Sequence, residues 1–145
     1  MSGIQGRNTR PEILIRKALF ARGFRYRLHD KRLPGKPDLV FPRYRAVIQI
    51  HGCFWHGHDC HLFKWPSTRP EFWRQKIHSN VERDTRNQQK LLDAGWRTLV
   101  IWECTLKGRL RRDFQELVSD AATWLVNGAN QAEISSKEKE SVCER

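Results

Sequence analysis

Residues 37–51 read PDLVFPRYRAVIQIH and contain two apolar runs, Asp38-Leu-Val-Phe41 and Ala46-Val-Ile-Gln-Ile50. β-Branched and aromatic residues favour strands, and prolines at 37 and 42 bound the first run. The short link Pro42-Arg-Tyr-Arg45 predicts that the two runs pair as a hairpin. Upstream, Thr9 is a good N-cap, Pro11 sits in the first turn and Glu12 lies three residues after Thr9, the spacing of a capping box. Ile13, Leu14, Ala18, Leu19 and Ala21 then recur at helical spacing, and Gly23 can end the helix. Downstream, residues 51–69 lack periodicity and read as a functional loop. A long helix is predicted from Pro70 to Ala94, closed by Gly95, then a strand from Trp96 to Trp102 and a helix from Asp113 to Val126. The order implies one α/β domain, a mixed sheet flanked by helices, over residues 1–127. Polar residues 128–145 read as a mobile C-terminal tail.

The chain has 145 residues, the size of one domain, and carries 27 Lys and Arg against 16 Asp and Glu, a net charge of +11. Between Arg7 and Arg45 twelve basic residues face three acids, an imbalance that points to a polyanion such as nucleic acid. No run approaches the roughly 20 apolar residues of a membrane helix, and the first ten residues have no apolar signal core. A cytoplasmic protein with no membrane partner is expected.

Four of the six histidines (His51, His56, His58, His61) and two of the four cysteines (Cys53, Cys60) fall between residues 51 and 61. Cys53 and Cys104 each follow an apolar run. If those runs are neighbours in one sheet, the two sulfurs meet at one edge, where Cys53, His58, Cys60 and Cys104 can fill a structural zinc site. The alternatives are a disulfide, which a reducing compartment disfavours, or a set of buried thiols. Cys143 lies in the tail and reads as a bystander. His56, His51 and His61 are left outside the ligand set; a neutral imidazole near a metal-bound phosphate suits general-base work, and the alternative is an ordinary polar loop residue.

Asp38 opens one strand and Gln49-Ile50-His51 ends the next. The arrangement resembles the metal-binding core of restriction-enzyme-like nucleases, Pro-Asp followed by Asp/Glu-x-Lys, with Gln49 and His51 standing where the second acid and the Lys would be. A carboxylate, a main-chain carbonyl and water are enough to hold Mg²⁺. Glu12 has the capping box as its ordinary explanation. Asp84 shares a helical stripe with Ile77, Val81, Gln88 and Leu91, so it either needs a buried partner or pairs with Arg83 or Arg86 at the surface. Phe54, Trp55 and Trp73 are either core or wedges that unstack a base step.

The run His51-Gly-Cys-Phe-Trp-His-Gly-His-Asp-Cys60, with Leu33-Pro-Gly-Lys-Pro-Asp38, resembles the very short patch repair endonucleases. The likeness continues through Arg69-Pro-Glu-Phe-Trp73, Asn80-Val-Glu-Arg-Asp84 and Gly95-Trp to Trp102-Glu-Cys104, and covers about residues 4–108. It implies a restriction-endonuclease-like fold and an enzyme that nicks double-stranded DNA 5′ of the T in a T:G mispair left by deaminated 5-methylcytosine. By this resemblance Asp38 and the Ile50 carbonyl bind Mg²⁺, His56 is catalytic, and Glu12, His51 and Asp84 support the site. Cys53, His58, Cys60 and Cys104 are the zinc ligands, and Phe54, Trp55 and Trp73 intercalate. The family's N-terminal arm lies before the segment resembling Met1 to Gly6, so a weaker grip on DNA is expected. The enzyme is expected to act as a monomer on nucleoid DNA, ahead of downstream repair proteins. The rival readings are a zinc-stabilised module that binds distorted DNA without cutting, and a nuclease of the same fold acting on unmodified DNA.

Overall fold

A computed structural model describes residues 9–136. The elements run α1 (Arg10–Ala21), β1 (Arg27–Leu28), β2 (Leu39–Phe41), β3 (Ala46–His51), α2 (Pro70–Asp93), β4 (Arg97–Trp102), α3 (Phe114–Asn127) and β5 (Gln131–Ile134). They build one five-stranded sheet in the order β1-β2-β3-β4-β5. β1, β2 and β3 are antiparallel neighbours, whereas β3, β4 and β5 run parallel. Parallel neighbours need long crossovers, and α2 and α3 supply them. The predicted hairpin is present: Leu39, Val40 and Phe41 face Ile48, Val47 and Ala46 across the ladder. A single 3₁₀ turn, Pro42–Tyr44, joins the strands, and Arg45 reverses the chain in the left-handed region at φ 49°.

Period-two alternation divides the sheet into two buried faces. On one, Leu39, Phe41, Ile48, Leu99 and Ile101 pack against Ile15 and Leu19 of α1 and Leu117, Val118, Ala121 and Leu125 of α3. On the other, Val40 and Val47 meet Leu91 of α2, with Leu33 and Trp96 alongside. Every residue of β2 is buried, as expected of a strand covered on both sides. Arg97 ties the layers together. Its guanidinium donates to the carbonyls of Trp124, Leu125 and Tyr44 at 2.9, 2.7 and 3.0 Å. Two of those carbonyls belong to the last turn of α3, where cations also complement the helix dipole.

Three sequence expectations change. β1 and β5 were not anticipated, because both are edge strands with exposed or half-buried residues and no strong apolar pattern. The tail boundary at Asn127 moves as well: Gln131–Ile134 pairs with Thr98–Ile101, and the Trp124 indole donates to the Ala129 carbonyl at 3.0 Å. Residues 137–145 lie outside the described residues. In α2, Ile77 and Leu91 are buried as the stripe predicts, but Val81 is 39% exposed, where it lines a surface pocket with Gly57 and Ile77.

Candidate active site

β3 extends past its antiparallel neighbour. The last β2–β3 pair is Leu39 with Ile48, so Gln49, Ile50 and His51 keep only β4 beside them. At that gap the Asp38 side chain replaces the missing strand: its Oδ2 accepts the Ile50 N–H at 2.8 Å. Asp38 is buried, and burial pushes its carboxyl up to about 7, with the nearby Glu12 charge adding to the effect. Glu12 itself is 1% exposed. Its N–H donates to Thr9 Oγ1 at 3.4 Å, but its carboxylate does not close the capping box. Instead Oε2 accepts from Arg16 at 2.9 Å and lies 2.7 Å from His29 Nε2. Glu12, His29 and Asp38 bring ligand atoms within 4.8 Å of one another.

A cleft of about 760 Å³ opens in front of these groups. His51, His56 and Asp84 line it opposite Asp38 and Ile50, and Lys31, Lys36 and Arg83 give it a basic rim. His56 Nδ1 is 2.5 Å from Asp84 Oδ2, so Asp84 turns from its helix towards the loop rather than pairing with Arg83 or Arg86. The His56 ring lies face to face on His51, with centroids 3.8 Å apart and planes 3° from parallel. Burial, then the neighbouring His56, lowers the His51 pKa to about 3, so His51 stays neutral near pH 7. With Nδ1 of His56 engaged by a carboxylate, Nε2 is the nitrogen left for proton transfer. A carboxylate that fixes the tautomer of an imidazole is the arrangement of a general base.

The second cluster sits behind Trp102. Ligand atoms of Cys53, His58, Cys60 and Cys104 all lie within 4.8 Å of one another. His58 Nδ1 is 3.4 Å from Cys53 Sγ and 3.7 Å from Cys104 Sγ. Tetrahedral bonds of about 2.3 Å to sulfur and about 2.05 Å to nitrogen place those atoms about 3.6 Å apart, so the four residues fit a tetrahedral ion. The hydrogen bond with Cys53, aided by one from His58, holds the Cys104 thiol well below the usual thiol range, whereas the same contact and burial raise Cys53. The His58 ring stacks on Trp102 at 4.0 Å, and Trp102 meets His51 edge-on at 5.2 Å. One indole therefore separates the two clusters. Glu103 accepts the Cys53 N–H at 3.2 Å, and Asn80 of α2 donates to the Trp55 carbonyl at 2.9 Å, which fastens the N-terminal part of the loop.

Phe54, Trp55 and Trp73 form a mutual aromatic cluster, with ring centroids 5.2–5.7 Å apart. Trp55 is 39% exposed, leaving part of its ring open to solvent. Phe54 is half-buried and also stacks on Phe63 at 5.8 Å. The sequence reading missed Phe63 as a support for Phe54, and it missed His29 beside Glu12. His61 joins neither group of ligand atoms, and both its ring nitrogens are buried without a hydrogen-bond partner among the described residues.

Comparison with known proteins gives a consistent picture. The sequence model of a family described as DNA mismatch endonuclease Vsr matches residues 1–62. The chain is 44% identical over 134 residues to the DNA mismatch endonuclease Vsr of Escherichia coli (strain K12), covering 92% of this chain and 86% of that protein. It is 48% identical over 109 residues to the type II nicking enzyme V.NmeAIP of Neisseria meningitidis serogroup A, covering 75% and 78% of the two chains. The type II nicking enzyme V.XorIIP of Xanthomonas oryzae pv. oryzae is 47% identical over 106 residues, covering 73% and 78%.

Proposed function

The chain belongs to the DNA mismatch endonuclease Vsr family, with its restriction-endonuclease-like fold, and we propose that it nicks one DNA strand 5′ of the T in a T:G mispair. The family makes it a DNA-cleaving mismatch endonuclease; the mispair, the strand and the ions are the proposal. The observation that carries it is the His56–Asp84 pair facing Asp38 across one basic cleft.

Asp38 and the Ile50 main-chain carbonyl would hold Mg²⁺, because hard oxygen donors suit that ion and a buried carboxylate needs a compensating cation. When bound, Mg²⁺ polarises the scissile phosphate and stabilises the departing 3′-oxyanion. His56 Nε2 takes the proton of the attacking water while Asp84 steadies the imidazolium that results. Water oxygen bonds to phosphorus, the P–O3′ bond breaks, the departing 3′-oxyanion takes a proton from solvent, and the products are a 5′-phosphate and a 3′-hydroxyl. Neutral His51 buttresses the His56 ring without adding a second positive charge beside it. Lys31, Lys36 and Arg83 attract the phosphodiester. Glu12, whose carboxylate lies close to that of Asp38, would add negative charge to the cation's site.

Cys53, His58, Cys60 and Cys104 would hold Zn²⁺ with a structural role, since protein fills all four positions. Phe54, Trp55 and Trp73 act as the wedge, because a mispair is cheaper to unstack than a matched step. No helix among the described residues is long and apolar enough to cross a membrane. The reading makes this a monomeric cytoplasmic enzyme working on nucleoid DNA ahead of downstream repair proteins.

An end-labelled duplex with one T:G pair, beside matched T:A and C:G duplexes, tests the proposal with Mg²⁺ present. Nicking of the T:G duplex alone is expected, and His56→Ala should bind that duplex yet leave it intact. Binding without cleavage in any flanking sequence would make the protein a recognition module. Equal cleavage of the matched duplexes would make it a nuclease of unmodified DNA.

A further inference from the structure

We infer that His29 is a positioning residue that sets the Glu12 carboxylate beside Asp38. Glu12 projects from α1 and Asp38 from the start of β2, so no continuous element relates their orientations. His29 contacts both. Its main-chain N–H donates to the Asp38 carbonyl at 3.0 Å, and its ring Nε2 lies 2.7 Å from Glu12 Oε2. The side chain is only 14% exposed, and what is exposed faces the cleft.

The backbone at His29 supports a specific role. Its φ is 46°, in the left-handed region that residues with a Cβ rarely occupy. The positive φ follows directly on β1, where Arg27 and Leu28 still pair with Val40 and Leu39. The chain thus leaves the ladder at the residue that must reach across to Glu12. A strained conformation held at a cleft wall, with the ring bonded to a buried carboxylate, is the pattern of a site residue. Through this bridge Glu12, His29 and Asp38 keep their ligand atoms within 4.8 Å, close enough for the two carboxylates to act on one divalent cation. Arg16 already satisfies part of the Glu12 charge from four residues along the same helix. His29 joins that carboxylate to the Asp38 main chain at the start of β2.

The inference rests on the proposed cation-dependent nicking site, and its test separates the two. Mn²⁺ binding to the full-length protein, followed by electron paramagnetic resonance, is compared for wild type, His29→Leu, His29→Gln, Glu12→Gln and the double variant Glu12→Gln/His29→Leu. Thermal unfolding is recorded for each, and nicking gives kcat and KM. His29→Leu should weaken Mn²⁺ binding and lower kcat by about 10-fold, the lower end for residues that orient metal-binding groups, with KM for DNA unchanged. His29→Gln restores a donor to Glu12 and should recover both to within about 3-fold. The double variant should be no worse than Glu12→Gln alone, because His29 acts through Glu12. Wild-type Mn²⁺ affinity and kcat in His29→Leu, with only the melting temperature lowered, would reduce His29 to a packing role and overturn the inference. So would a glutamine variant as impaired as the leucine one, or additive losses in the double variant. If wild type cuts no T:G duplex, the proposed function fails while the Mn²⁺ series still decides the role of His29.

Discussion

Asp38→Asn should make the cation-free protein more stable while abolishing nicking, and the size of the gain follows from the site. The Asp38 carboxyl is raised from 3.8 to about 7, first by burial and then by Glu12. Below about pH 4 the group is protonated in both the folded and the unfolded chain, and burial of its charge costs nothing. Between about pH 4 and 7 the unfolded chain releases a proton that the folded chain retains, so stability falls as pH rises. Above about pH 7 the full cost is present. One pKa unit is worth about 1.4 kcal/mol, so from pH 5 to pH 8 wild type should lose about 2–3 kcal/mol through this group alone. Asparagine never ionises, and its side-chain oxygen can still accept the Ile50 N–H. The assay is urea unfolding of wild type and Asp38→Asn at pH 5 and pH 8 without Mg²⁺ and without chelator. The gap in favour of the variant should widen by about 2–3 kcal/mol, and Mg²⁺ should restore wild type at pH 8 but leave the variant unmoved. A gap of the same size at both pH values, or a variant less stable than wild type at pH 8, would refute the argument that Asp38 is a buried, uncompensated charge.

Cys104→Ala should lose the structural ion and lower the melting temperature more than it changes cleavage at a temperature where it stays folded; metal analysis should fall from about one zinc per chain to well below that. A protein that is folded, active and zinc-free would remove zinc from the account. Trp55→Ala and Trp73→Ala should each weaken binding to the T:G duplex by about five- to 150-fold, the equivalent of roughly 1–3 kcal/mol of lost stacking. Little change in melting temperature is expected for Trp55→Ala, and an unfolded variant would show that the ring is core after all. Arg97→Met leaves the Trp124, Leu125 and Tyr44 carbonyls without their shared donor and should cost about 3 kcal/mol in urea unfolding, with T:G cleavage retained below the transition.

The central strands and all three helices were legible in the chain, because their signals are local. Thr9 and Asp113 cap α1 and α3 as their residue types favour, and Pro70 and Gly95 bracket α2. Leu39–Phe41 and Ala46–His51 are strand-forming on either side of a turn, and the spacing of Cys53, His58 and Cys60 needed only one distant partner to suggest a site. The edge strands were not legible. Arg27–Leu28 and Gln131–Ile134 have no apolar pattern of their own and become strands only because β2 and β4 offer unpaired backbone groups. The direction of individual side chains was equally hidden. Thr9 and Glu12 have capping-box spacing, yet the Glu12 carboxylate turns inward because His29 and Arg16 meet it there. Asp84 had basic neighbours on its own helix, and it bonds His56 from a loop 28 residues earlier. Local pattern carries propensity and periodicity, which set the elements. Which face of a helix meets which loop depends on contacts between distant residues, and those exist only after the sheet has brought α1, α2 and the His51–Cys60 loop to one edge.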